Sequence, residues 1–249
     1  MAKAKAKAKA RTTMRKLIII GCLVWACTGD RSAAEQATTQ AAAGPATTGP
    51  AAVAMEPAQR LSAAARRLLA GTTTTRYAHQ TAIDLQSGTV TTDCSGLLTW
   101  LLKNELPDHL AFIPPSAGHR RPLAADYQQA FAAGAKGWQA VGQVKGLRPG
   151  DVVAWRYAAP KPGGPTGHVV IIDSEARPDG PDRYQITVID ATSIPHDDDT
   201  RKDGDGLGRG TIRLRTRADG GAEAVQINRR SVFREQAFAL ARPVGIAGK

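Results

Sequence analysis

The sequence predicts an α+β fold, with N-terminal helices packed on an antiparallel β-sheet. Two observations carry this prediction. Between Leu61 and Leu102 apolar residues recur at helical spacing, and after Pro149-Gly150 the period switches to two, in short runs separated by Gly, Pro and Asp turns. Helices first and neighbouring strands second is the order of an α+β domain, not of alternating βαβ units.

Taken in order, Leu61, Ala65, Leu68 and Leu69 form one face of a helix from about Pro57 to Ala70, with Gly71 as its stop signal. Leu97, Leu98, Leu101 and Leu102 form a second apolar stripe that ends before Pro107. Residues Pro107 to Gly146 read as loop-rich, with a short helix around Ala124 to Ala133. The strands expected after Gly150 are Asp151 to Tyr157, His168 to Asp173, Arg183 to Ala191, Thr211 to Thr216, Glu223 to Ile227 and Ala237 to Ala241. Gly204-Asp205-Gly206-Leu207-Gly208-Arg209-Gly210 has no Gly-Lys-Ser/Thr and no following helix, so it reads as a flexible turn and not as a phosphate loop.

The chain has 249 residues and 42% hydrophobic content, enough for one folded domain with extensions. Its net charge of +11 suggests a polyanion partner until the charges are located. Seven basic residues (Lys3, Lys5, Lys7, Lys9, Arg11, Arg15, Lys16) precede Leu17, and no acid precedes Asp30. Without them 26 basic residues face 22 acidic ones, a balance of +4, and a nucleic-acid partner is not expected.

That basic stretch leads into an apolar run, Leu17 to Cys27, about half of the ~20 residues a membrane-spanning helix needs. It has the layout of a secretory signal, with Met14 a possible natural start. Ala26-Cys27 is similar to a bacterial lipoprotein cleavage site, so residues 1–27 are expected to be a signal segment and Cys27 the lipidated residue. Cleavage near Cys22 and ordinary secretion are the alternatives. Residues 28–58 are mostly Ala, Thr, Gln, Gly and Pro, too poor in large apolar side chains to offset their ordering entropy, and read as a linker. The folded domain is expected over 59–247.

With Cys22 removed in the signal and Cys27 lipidated, Cys94 is the one thiol left in an exported domain, where structural cysteines are normally paired. Thr92-Asp93-Cys94-Ser95-Gly96 puts it in the first turn of the second helix, where free amides and the helix dipole favour a thiolate. The partner base is sought among His79, His109, His119, His168 and His196. His168 opens the apolar strand His168-Val169-Val170-Ile171-Ile172, which fixes it at a sheet rim. The turn at Arg177-Pro178-Asp179-Gly180-Pro181 joins this strand to the next, and a hairpin centred on residue 179 opposes His168 to Asp190. A carboxylate there would orient the imidazole. His196 is the alternative orienting residue.

No zinc pattern occurs, and Asp197-Asp198-Asp199 with Asp203 and Asp205 lacks calcium-loop spacing, so no metal or cofactor is expected. Arg213, Arg215, Arg229 and Arg230 read as a solvated edge, with contact to an anionic polymer as the alternative.

Three segments in this order, Asp93-Cys94-Ser95-Gly96-Leu97, Leu147-Arg148-Pro149-Gly150-Asp151-Val152-Val153 and Gly167-His168-Val169-Val170-Ile171, resemble the signatures of the NlpC/P60 cysteine peptidases. The resemblance spans roughly Leu61 to Pro243. It implies a papain-like core and hydrolysis of amide bonds in peptidoglycan stem peptides, typically between D-glutamate and a diamino acid. It also implies Cys94 as nucleophile, His168 as base, Asp190 as the third triad member, Asp93 and Ser95 as binders of the stem peptide's free amino end, and Tyr77 as a further substrate contact. Relatives commonly carry histidine at the position of Asp190 and Trp-Gly-Gly where this chain has Ala78-His79-Gln80. The expected protein is a monomeric cell-wall endopeptidase or amidase, anchored by its lipid on the periplasmic or cell-surface side of a membrane. The alternatives are a non-catalytic wall-binding module of the same fold, or an acyltransferase or hydrolase acting on another amide or ester.

Overall fold

The computed structural model describes residues 55–160, 163–201 and 204–247. The expected signal segment, Cys22, Cys27, most of the expected linker and Asp203 lie outside them.

Helix α1 (Pro57–Gly71) starts with proline at its first turn, closed by a reciprocal capping box between Glu56 and Gln59. It therefore takes in two residues assigned above to the linker. Ala58 is buried because the turn at Gly150, with φ +90°, approaches so closely that a Cβ there would lie 1.9 Å from the Ala58 carbonyl oxygen. Next come β1 (Thr74–Tyr77), β2 (Ala82–Asp84) and β3 (Thr89–Thr92), a small sheet in which β3 pairs with β1 in parallel and with β2 antiparallel. These strands escape the sequence reading because they are three or four residues long, Thr-rich and half exposed.

Helix α2 (Cys94–Glu105) follows, then α3 (Pro107–Ala111), which sequence reading takes for loop, and α4 (Ala124–Ala132). The large sheet comprises β4 (Trp138–Ala140), β5 (Val152–Arg156), β6 (Gly167–Ile172), β7 (Arg177–Pro178), β8 (Arg183–Thr192), β9 (Gly206–Thr216), β10 (Ala222–Gln226), β11 (Arg234–Glu235) and β12 (Ala237–Pro243). Its order is β11-β10-β9-β8-β6-β5-β12-β4, with β7 on β8, and every pairing is antiparallel. The predicted α+β class with a mostly antiparallel sheet is what the chain adopts.

Strand alternation divides the core. Val152, Ala154, Val169, Ile171, Ile189 and Ala191 pack with Leu61, Leu97, Leu98, Leu101 and Tyr127 of the helices. The alternate residues Val153, Trp155, Val170, Ile172, Ile186 and Val188 pack with Ile212, Leu214, Val144 and Leu147. Asp151, fully buried, accepts from the Arg148 amide and takes both prongs of Arg242, so the Leu147–Val153 motif clamps β5 to β12.

The flexible turn predicted at Gly204–Gly210 is instead largely strand β9, because its glycines make room for close neighbours. A Cβ on Gly206 would lie 2.2 Å from Thr75 Oγ1, one on Gly208 2.4 Å from the Arg201 side chain, and one on Gly210 2.6 Å from His196 Cβ. Of the predicted solvated arginine edge, Arg229 and Arg230 are exposed, whereas Arg213 pairs with Asp179 and Asp197, and Arg215 with Glu223 and Glu235, so the latter two charges are neutralised within the fold.

Candidate active site

Strand β3 delivers the chain to Asp93, which caps α2: its Oδ1 accepts from the Gly96 amide at 2.7 Å and the Ser95 hydroxyl at 3.2 Å. The amides of Cys94 and Ser95, in the first turn, have no acceptor inside the helix. Gly96 is required here, since a Cβ would lie 2.2 Å from Thr81 Oγ1 and 2.7 Å from Thr92 Oγ1. Cys94, unpaired, is 6% exposed.

The Cys94 sulfur lies beside the ring of His168, close enough for its charge to be the largest influence raising the imidazole pKa. His168 Nε2 lies 2.6 Å from Asp190 Oδ2, which leaves Nδ1 as the nitrogen for the sulfur. Cys94, His168 and Asp190 are thus brought into one line, although the hairpin register differs from the predicted one. Ile171 faces Ile189 and Ile172 faces Val188, a register that sets residue 190 against 170 in place of 168. The slip is two residues, so the strand faces are unchanged and Asp190 reaches His168 diagonally.

Burial alone would depress the His168 pKa. The negative charge at Cys94, the hydrogen bonds to Asp190 and Cys94 and the Asp190 charge outweigh it, and lift the value from 6.5 to about 10. Asp190 is buried too, yet His196, Arg201 and His168 hold its carboxyl well below the ordinary range. His196 Nε2 sits 3.0 Å from the same Oδ2 that His168 uses, and Arg201 pairs with Oδ1 while donating to the Asp190 carbonyl at 3.0 Å. The two candidates for the third position are therefore successive links: Asp190 touches His168, and His196 touches Asp190.

A cleft of about 870 Å³ opens on Cys94, walled by Tyr77, Asp93, Ser95, Arg121 and the Gly163–Gly167 segment. Tyr77 stands at the end of β1, its ring edge-on to His79 with centroids 5.7 Å apart. Burial, then the charges at Cys94 and Asp93, push its phenol pKa upward. Tyr157, just past β5, is raised by burial and by Cys94 as well. Asp93 and Ser95 line the cleft but are engaged by Arg121, whose Nη2 is 2.7 Å from Asp93 Oδ2 and whose Nη1 is 2.7 Å from Ser95 Oγ.

Arg121, Tyr157 and Arg201 are the site residues that sequence reading misses. Arg201 had one signal: it follows an acidic run that needs internal cations. Asp197 is used by Arg213 and the Arg229 amide, and Asp199 by the His196 amide and Arg201, so both carboxylates are engaged within the fold. Among the described residues no cluster of His, Cys, Asp and Glu is arranged to hold a metal, and no helix is long and apolar enough to cross a membrane.

Fold and site together define an α+β protein with a thiol, an imidazole and a carboxylate in line at the end of a cleft. No family model matches the chain, and no solved structure matches it. It is 33% identical over 148 residues to an uncharacterized protein, R653, of Acanthamoeba polyphaga mimivirus, a match covering 52% of this chain and 65% of that protein's length.

Proposed function

We propose that the protein is a cysteine endopeptidase or amidase of the NlpC/P60 type, with a papain-like core, cutting amide bonds in peptidoglycan stem peptides. The observation that carries this reading is a thiol at a helix start that opens on a cleft, its charge felt by His168, whose Nε2 lies 2.6 Å from Asp190 Oδ2.

Cys94 Sγ attacks the amide carbonyl carbon, and the oxygen takes up negative charge against the Cys94 and Ser95 amides of the first helical turn. The imidazolium of His168 gives its proton to the leaving nitrogen as the C–N bond breaks. His168, now neutral, takes a proton from water, whose oxygen attacks the thioester, and the C–S bond breaks to return the thiolate beside the His168 imidazolium and to release the carboxylic acid. Asp190 holds the ring through Nε2–H during both steps. Export and a lipid at Cys27 would hold the domain beside the cell wall, on the periplasmic or cell-surface side of a membrane.

A second reading, hydrolysis or acyl transfer on another amide or ester, draws on Arg121, which fills the position beside Asp93 and Ser95 where a stem peptide's amino end would bind.

The test is digestion of purified peptidoglycan by the full chain and by Cys94→Ala, with fragments weighed by mass spectrometry. Wild type is expected to release peptides cut between D-glutamate and the diamino acid, and Cys94→Ala none. If neither alters the polymer while iodoacetamide still modifies Cys94, the wall assignment fails and the nucleophile stands. A Cys94 inert to iodoacetamide in the folded protein would sink both.

A further inference from the structure

The wall beside Cys94 is cationic once its pairings are counted. Both oxygens of Asp93 are occupied: Oδ1 by the Gly96 amide and the Ser95 hydroxyl, Oδ2 by Arg121 Nη2 at 2.7 Å and the His79 ring at 3.2 Å. Arg121 donates further to Ser95 Oγ, the Pro122 carbonyl and the His79 carbonyl, so its guanidinium is held by four acceptors. A ligand ammonium would need the oxygens that Arg121 already uses, and would have to approach a like charge to reach them.

Asp93 is the one aspartate or glutamate in this wall, and Arg121 balances it. What is left is Arg120 and His119, both exposed and lining the cleft, their side chains without a hydrogen-bond or ion-pair partner among the described residues, with the largely exposed ring of His79 also in this wall. The unpaired Arg120 guanidinium on a concave wall raises the local concentration of anions, and the His119 ring offers a further donor beside it.

Taking Cys94 as the nucleophile, we propose that this cleft selects anionic acyl substrates, carrying a free carboxylate that Arg120 and His119 hold beside the scissile carbonyl, and turns away those that present a free ammonium at Asp93 and Ser95. Arg121 is the specificity-determining residue: it converts an acidic subsite into a neutral one and leaves the surrounding positive charge uncompensated.

The full chain is treated with three alkylating agents of similar size, iodoacetate, iodoacetamide and bromoethylammonium, each rate being divided by that of a simple thiol in the same buffer. The expected order is anion, neutral, cation, with the anion favoured over the cation by about tenfold at low salt and less as salt rises. Arg120→Gln should cut the anion-to-neutral ratio by about threefold or more, and Arg121→Met should shift the preference toward the cation. Arg230→Gln, an exposed arginine outside the cleft, should leave the ratio unchanged. A wild-type ratio near one, or a ratio indifferent to Arg120→Gln, overturns the proposal while leaving Cys94 a nucleophile.

A second arm does not need a reactive thiol. In the full-length Cys94→Ala protein, N-acetyl-alanyl-alanine should perturb cleft NMR signals at lower concentration than its C-terminal amide, and alanyl-alanine amide should bind weakest. If no alkylating agent reacts, the nucleophile reading fails and this ranking alone decides the charge preference. Equal binding of the three, or tightest binding of the cation, overturns it.

Discussion

Asp190 is asked to hold three donors on two oxygens. Oδ2 receives His168 Nε2 at 2.6 Å and His196 Nε2 at 3.0 Å, while the Arg201 side chain, wholly buried, pairs with Oδ1. A carboxylate only accepts, so both rings must present their Nε2 proton to it, and that choice leaves His168 Nδ1 for the sulfur. His196 Nδ1 is buried without a partner, the cost of placing a second ring behind the first. Changing Asp190 to Asn puts amide protons against donors and leaves the buried Arg201 with Asp199 as its one carboxylate partner. Asp190→Asn should therefore destabilise the fold by about 3–5 kcal/mol and slow alkylation of Cys94. His196→Gln, which can still donate to Oδ2, should cost only about 1 kcal/mol. Urea unfolding of both variants checks the order; equal losses would mean that His196, and not the carboxylate, supports the ring.

At the level of elements, what can be read from sequence is what periodicity encodes. Helices α1, α2 and α4 follow from their apolar stripes, and β5, β6 and β8 from alternation, and with them the positions of Cys94, His168 and Asp190. The register slip of two residues arises at the Arg177–Pro178 strand, whose pairing with Gln185 and Tyr184 shifts the hairpin centre, a feature no turn signal reveals. Arg121 gives no local clue, because its meaning comes from Asp93 and Ser95, which lie 28 and 26 positions away. The glycines of β9 mislead for the same reason: their contacts are remote. Gly208 lies opposite Asp190 and beneath Arg201, so its missing side chain is what lets Arg201 reach the carboxylate. Gly208→Ala should push Arg201 off Asp190, costing about 1–3 kcal/mol and lowering Cys94 reactivity. An alanine variant with wild-type melting temperature and alkylation rate would show that Arg201 needs no such space.

Across the whole molecule, buried and half-buried carboxylates join the layers. Asp173, at the end of β6, takes Arg66 from α1 at 2.6 Å and Arg209 from β9, and Asp197 takes Arg213. Burial pushes both acids up, but these arginines, with the Arg229 amide at Asp197, prevail and hold them below 3.8, as the cations around Asp190 hold it. A depressed carboxyl contributes stability that is present above its unfolded value near 3.8 and is lost as pH falls through the folded one. His168 has the opposite sign. Its pKa is raised from 6.5 to about 10, so its contribution is whole below 6.5 and drains as pH climbs to about 10, by at most about 1.4 kcal/mol per pH unit. Stability should peak between about pH 4 and 6.5 and decline on both sides, as urea midpoints measured from pH 2.5 to 10.5 would show. The alkaline decline has a specific origin, because the charge at Cys94 is the largest influence raising His168. Cys94→Ala should flatten that limb and leave the acid limb, set by Asp173, Asp190 and Asp197, nearly as steep. An alkaline limb unchanged in Cys94→Ala would mean that the imidazole does not feel the sulfur, and the shared proton on which the proposed hydrolysis depends would be lost with it.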